Sequence, residues 1–155
     1  MILKKRMNRK FLLDTNVCVF FLRGKYEIDE RIESVGLDNC CISSITVAEL
    51  KYGAELMRRK GRNFPPQDLD AFINAIDVVS IDSALDVFAE EKTRLQLMGT
   101  PADDNFDLLI GATAIVNKYV LVTENVSDFI NLRNIEIENW IIKIVGQLFC
   151  MNAIN

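Results

Sequence analysis

Histidine is missing from this chain altogether. Its absence removes the usual general base of metal-free hydrolases and of ribonucleases that proceed through a cyclic phosphate. It also removes zinc sites of the histidine-rich kind, so carboxylates must carry most of any chemistry. The four cysteines, Cys18, Cys40, Cys41 and Cys150, lack C-x-x-C or other ligand-like spacing. Cys40 and Cys41 are neighbours in an expected strand, which points their side chains to opposite faces. That disfavours a shared zinc ion or disulfide framework and makes a reducing, cytoplasmic setting the expectation. No apolar run approaches the length of a membrane span. The basic opening MILKKRMNRK leads into apolar residues, but Asp14 and Asn16 interrupt them, so it makes a poor secretory signal. Cations are in the minority, and the net charge of −4 argues against a protein that coats nucleic acid nonspecifically. It is compatible with an enzyme that grips phosphates through one local basic patch.

What is present fits a single soluble domain: 155 residues, half of them apolar, can bury a full core without metal or disulfide staples. RKFLL (9–13) reads as a first buried strand ending at a polar junction, followed by a helix that Gly24 stops. Residues 26–36 carry Ile28, Ile32 and Val35 at helical spacing, and CCISSI (40–45) is a second strand. Residues 46–61 place Val47, Leu50, Ala54 and Met57 on one helical stripe. A helix opening after Pro-Pro occupies 63–77, VVSI (78–81) is a third strand, and Asp82 or Ser83 can cap a long helix to Met98. Residues 99–119 form a loop and a helix whose small residues, Gly111, Ala112 and Ala114, allow close helix–sheet approach. VLVT (120–123) is a fourth strand and IEIE (135–138) a short fifth. Strands alternating with helices specify an α/β fold, with a mainly parallel sheet of four to five strands and helices on both faces. Ligands of such sheets gather at the carboxyl ends of the strands.

The acids are the informative residues, and each has an ordinary reading beside a functional one. Asp14 is a natural N-cap for the helix beginning at Thr15 or Asn16. Glu49 completes a capping box, Thr46-Val-Ala-Glu49, in the first turn of its helix. Asp103, Asp104 and Asp107 surround a helix start, where acids suit the macrodipole. Asp107 stands out because Leu108, Leu109 and Ile110 beside it are apolar, and a charge among core residues needs a partner. Past the fourth strand, Asn125 reads as a cap or turn residue and Asp128 as a solvated helix acid. Taken together, Asp14, Glu49, Asp107 and Asp128 fall on one edge of one sheet. Such a cluster repels itself unless a cation neutralises it, and oxygen-only ligands select Mg²⁺ or Mn²⁺.

FLLDTNVCVFFLRG, CCISSITVAELKYGAE, GTPADDNFDLLIGATA and VLVTENVSDF, closing with IEIENW, together resemble the PIN-domain family. Within it they resemble the VapC-type toxins of bacterial toxin–antitoxin pairs. The resemblance runs in order from about residue 9 to Trp140 and implies a three-layer α/β/α sandwich. It further implies a Mg²⁺- or Mn²⁺-dependent endoribonuclease, inhibited by a small antitoxin whose tail enters the acidic groove, and a homodimer. Asp14, Glu49 and Asp107 match the first three family acids, and Asp128 the fourth and most variable. Thr15 and Asn16 match the polar pair after the first acid, and Thr123 and Asn125 the Thr-x-Asn of the last motif. Asp103 and Asp104 stand where close relatives often have Gly or Pro, leaving Asp104 either in the site or on its rim.

On this reading residues 1–140 form the PIN-like nuclease domain, with 1–6 dispensable if Met7 is the start. The extension 141–155, with Ile141, Ile144, Val145 and Leu148 at helical spacing, is expected to be helical. Lys51, Arg58, Arg59, Lys60 and Arg62 cluster on or beyond the Glu49 helix. They are either a solvated helix end or a contact for RNA phosphates or acidic antitoxin residues. The basic N-terminus carries the same two readings. No RNA-stacking aromatic motif is evident, since Phe20, Phe21, Phe72, Phe88 and Phe129 fit core positions better. Two other functions stay open: a catalytically silent PIN-like binding module, and a metal-dependent phosphatase with Asp14 as nucleophile. The phosphatase is weakened by Asn16, where its second Asp would stand.

Overall fold

The structure is a computed structural model describing residues 9–62 and 66–141. Its elements are β1 (Phe11–Leu13), α1 (Thr15–Leu22), α2 (Ile28–Val35), β2 (Cys40–Ser43), α3 (Ser44–Arg59), α4 (Pro66–Ala75) and β3 (Asp77–Val79). Then come α5 (Leu85–Leu97), α6 (Asn105–Asn117), β4 (Val120–Val122), α7 (Val126–Phe129) and β5 (Glu136–Glu138). The five strands form one sheet in the order β3-β2-β1-β4-β5, and every pair is parallel.

Side-chain alternation along such short strands dictates the layers. Phe11, Leu13, Cys40, Ile42, Val120 and Val122 point to one face, where they pack with Val17, Ile28, Ile32, Leu50 and Phe72 from the first four helices. Leu12, Cys41 and Leu121 point to the other, against Leu95, Leu108, Ile110, Ala114, Phe129 and Leu132. The result is the α/β/α sandwich. Cys40 and Cys41 do face opposite sides, and burial pushes their thiols up to about 11 and about 12. With Cys18 they are free and buried, while Cys150 lies outside the described residues.

The topology fixes where a site can form. The chain builds outward from β1 through β2 to β3, then crosses back to place β4 on the other side of β1. The direction of winding reverses between β1 and β4, and in such sheets ligands gather at that reversal, at the carboxyl ends of the strands.

Several local expectations are corrected. Helix α3 starts at Ser44 instead of 46, because the hydroxyl of Ser43, the last β2 residue, accepts the Thr46 N–H at 3.1 Å. The Thr46–Glu49 capping box therefore does not form, and Glu49 lies in the second turn. Neither Asp82 nor Ser83 caps the long helix; they sit in a 3₁₀ turn (Asp82–Ala84), and α5 starts after Ala84 without a side-chain cap. Asn125 precedes α7 but makes no side-chain cap bond. Gly111 permits a close approach, but to α7 and the loop after it rather than to the sheet. A Cβ there would overlap Leu132 Cδ1 and lie 3.3 Å from Phe129 Cδ1. The N-terminal segment 1–6 and the expected helix of 142–155 lie outside the described residues. Ile141, the first residue of that extension, is buried in the first core cluster beside Trp140.

Candidate active site

Asp14 follows β1 directly, and its N–H extends the ladder to Val122 O of β4 at 2.9 Å. Two apolar strands thus deliver a carboxylate that is only 3 % exposed. Its Oδ1 accepts from the Thr15 N–H at 2.7 Å, which caps α1. Its Oδ2 accepts from the Thr123 hydroxyl at 2.7 Å. The capping and site readings of Asp14 are therefore compatible, one oxygen serving each neighbour. Thr123 is fully buried and also accepts the Asn125 N–H at 3.0 Å, so the turn after β4 is locked to the same carboxylate.

Thr15 reaches the other way. Its hydroxyl donates to Glu49 Oε1 at 2.6 Å, and its Oγ1 lies 3.2 Å from Thr46 Oγ1. From the second turn of α3, Glu49 is within reach of Thr15. The side chains of Asn16 and Asn125 make no hydrogen bond among the described residues.

Asp107 lies in the first turn of α6, and Asp128 is exposed on α7. Asp104 is the N-cap of α6, its Oδ1 accepting from the Phe106 N–H at 2.6 Å. Electrostatics ties these acids together. Partial burial, followed by the charges of Asp14, Asp104, Asp128 and Glu49, pushes the Asp107 carboxyl up to about 7. Burial raises Asp14 as well, partly offset by the hydrogen bonds from Thr123 and Thr15. Glu49 is raised by burial, offset by Thr15, with Asp14 and Asp104 adding repulsion. Asp104 thus belongs to the field of the cluster while serving as a cap; Asp103 is exposed and not among the charges acting on Asp107. A cavity of about 400 Å³ opens on the Asp107 and Asp128 side, with Leu95, Leu108 and Leu132 in its wall. Asp14 and Glu49 lie outside that wall.

These donors suit a divalent cation by type: carboxylate oxygens, mutually repelling, with Glu49 Oε2 left free by Thr15. Among the described residues no three acids stand in a closed ligand set. The structure shows a shared field and two side chains already oriented, Asp14 and Glu49.

The basic cluster divides. Arg58 donates to both oxygens of Glu55 at 2.8 Å and Arg59 to one at 2.7 Å, holding that carboxyl down at about 2. Lys51, Lys60 and Arg62 are exposed and have no ion-pair partner among the described residues. At the N-terminus Arg9 pairs with Glu136 at 2.5 Å.

Sequence reasoning missed Glu91. This buried acid on α5 is held by Arg94 at 2.5 and 3.0 Å and accepts the Arg133 N–H at 3.0 Å. Arg94 also donates to Asn131 O at 2.7 Å, so the loop that follows Asp128 is tied to α5. The hydrogen bonds from Arg94 hold the Glu91 carboxyl below its ordinary range. Its signal was legible as a Glu-x-x-Arg pair at helical spacing. Also missed were Tyr52 and Phe106, exposed aromatics on α3 and α6; of the phenylalanines assigned to the core, Phe72 and Phe129 are fully so.

No helix among the described residues is long and apolar enough to cross a membrane. Comparison with known proteins finds the PIN domain over residues 11–134. A tRNA(fMet)-specific endonuclease VapC of Salmonella typhimurium is 35 % identical over 133 residues, 84 % of this chain and 98 % of its own. DNA-bound VapBC from Salmonella typhimurium includes a chain that superposes with a TM-score of 0.72 at 33 % identity, covering 85 % of this chain and 98 % of that one. For VapBC2 of Rickettsia felis, solved on a DNA fragment from its promoter, the TM-score is 0.74 at 30 % identity, with 84 % and 98 % covered.

Proposed function

Given that the chain belongs to the PIN-domain family, as a VapC-type toxin ribonuclease of a type II toxin–antitoxin system, we propose that Asp14, Glu49, Asp107 and Asp128 hold the divalent ion, Mg²⁺ or Mn²⁺, on which its cleavage of RNA depends. The observation that carries this reading is the fixed pair Asp14 and Glu49, oriented by Thr123 and Thr15, whose charges, with those of Asp104 and Asp128, add to burial in raising the Asp107 carboxyl to about 7. A cation is the simplest relief for that field. When bound, such an ion polarises a phosphodiester and makes a coordinated water acidic, supplying a nucleophile to a chain without histidine.

The protein's own contribution is placement. Thr123 and the Thr15 N–H fix both oxygens of Asp14, and the Thr15 hydroxyl fixes one oxygen of Glu49. Each carboxylate keeps lone pairs directed away from its donor. Asp107 holds a proton part of the time near neutrality and surrenders it when positive charge arrives. Thr15 acts through its neighbours. Thr15→Val keeps shape but frees Glu49, and should weaken Mn²⁺ binding and cleavage by about 10–100-fold. Calorimetric Mn²⁺ titration beside the cleavage rate checks this, and unchanged affinity would remove Thr15 from the site.

We take the substrate to be a transfer RNA, in keeping with the name of the Salmonella relative, and the site of action to be the cytosol. We take its partner to be an antitoxin, as in the VapBC complexes it resembles, and propose that the antitoxin covers the acidic groove and that the toxin acts as a homodimer. The deciding experiment is incubation of the purified chain with total tRNA, with Mg²⁺ or with EDTA, and mapping of the ends. Cleavage that needs the ion and leaves 5′-phosphate and 3′-hydroxyl ends supports the reading. Equal cleavage in EDTA, or cyclic-phosphate ends, would overturn it.

A further inference from the structure

One aromatic side chain is left unexplained by either core or acid cluster. Tyr52 lies on α3 three residues after Glu49, and its side chain is largely in water, the residue being 69 % exposed. Three residues along a helix is nearly one turn, about 4.5 Å of rise, so Tyr52 shares the flank that carries Glu49. Leu56, four residues further and also exposed, shares that flank. The ring makes no aromatic contact among the described residues. Burial explains Leu50 on the opposite flank of the same helix, but it does not explain Tyr52.

The charge around it narrows the occupant. From Lys51 to Arg62 this segment carries five cations, Lys51, Arg58, Arg59, Lys60 and Arg62, against the single acid Glu55. In a chain of net charge −4 that is a local reversal of sign. A polyanion running from the acid cluster along α3 meets first an exposed ring and then a helix end of net positive charge. There Arg58 and Arg59 are shared with Glu55, while Lys60 and Arg62 have no ion-pair partner among the described residues. Unpaired nucleic acid is bound by this combination, bases stacked on aromatic faces and phosphates held by Lys and Arg. A ring and an apolar neighbour alone would suit a protein partner equally well; the positive helix end favours RNA.

We propose that Tyr52 is a stacking platform for an unpaired RNA base adjoining the scissile phosphate. The inference rests on the ribonuclease reading for the identity of its ligand, but it is tested by binding. The Asp14→Asn protein, expected to cut on the order of 10³-fold more slowly, is titrated into a fluorescein-labelled single-stranded oligoribonucleotide in Mg²⁺, and anisotropy gives the affinity. Adding Tyr52→Ala or Tyr52→Leu should weaken binding about 10–100-fold, whereas Tyr52→Phe should retain it. An oligonucleotide made abasic at successive positions should at one of them bind the parent as weakly as it binds the Tyr52→Ala form. Unchanged affinity in Tyr52→Ala overturns the proposal and leaves this flank to a protein partner. Loss that is the same on intact and abasic RNA at every position also overturns it, because Tyr52 then acts on the fold. If the Tyr52-dependent binding is present but the wild-type chain cuts no RNA, the platform stands and the ribonuclease reading falls.

Discussion

Asp14→Asn is expected to reduce RNA cleavage on the order of 10³-fold, the scale on which one preorganised charge at a reacting centre acts. The fold should be unchanged. An asparagine oxygen can still accept the Thr15 N–H that caps α1, and its amide can donate to Thr123, whose hydroxyl rotates to accept. Asp14→Ala is the poorer experiment, since it also removes the cap, worth about 1 kcal/mol, and strands a fully buried hydroxyl. Single-turnover cleavage of tRNA beside a thermal melt separates the two effects. An Asp14→Asn protein that cuts at the wild-type rate would remove Asp14 from the site.

Asp107→Asn should do two opposite things: abolish cleavage and stabilise the metal-free fold. The Asp107 carboxyl is raised in the folded state from its ordinary 3.8 to about 7. Between those values the folded protein holds a proton that the unfolded chain has released. Stability therefore falls as pH rises from about 4 to about 7 and stays lower above it. Asparagine imitates the protonated form at every pH. In EDTA at pH 8 the variant should melt about 3–10 °C higher than wild type, from about 1–3 kcal/mol after discounting for partial exposure. At pH 4 the two should coincide. Saturating Mg²⁺ should raise the melting temperature of the wild type and leave that of the variant nearly unmoved. Equal Mg²⁺ stabilisation in both would place the ion elsewhere.

The sheet was legible because its strands are buried on both faces and read as apolar runs. Leu12, Leu13, Leu121 and Val122 are fully or almost fully buried, and RKFLL and VLVT announced them. The strand ends were less legible, because pairing sets them and pairing is not local. CCISSI continues its apolar character through Ile45, but β2 stops at Ser43, where the Ser43 hydroxyl starts a helix. That two-residue shift puts Glu49 in the second turn of α3. Thr46-Val-Ala-Glu49 has the composition of a capping box, and only the contact with Thr15, 34 positions away, shows that the acid has another partner. That Asp14, Asp104, Asp128 and Glu49 all act on Asp107 fits their expected place at the carboxyl edge of the sheet, where β1 and β4 are adjacent parallel strands. Asp104 could not be assigned by spacing, because one oxygen caps a helix while its charge acts on Asp107. Tyr52 was missed for a different reason. Searching aromatics for core positions selects phenylalanines on apolar stripes, and a tyrosine on the solvent flank of an otherwise amphipathic helix lies outside that pattern.

The reversal of winding between β1 and β4 bears on the synthesis of a toxin. Asp14 and Glu49 come from the part of the chain made before the crossover, and Asp107 and Asp128 from the part made after it. While a ribosome is still extending the chain, β1 lacks its partner β4, and Asp14 lacks Thr123. At about 5–20 residues per second the interval between the two pairs of acids lasts several seconds. On the proposed site assignment, the chain made up to that point lacks Asp107 and Asp128 and cannot complete its metal site. An antitoxin translated first would have that time to be waiting when the last acid arrives.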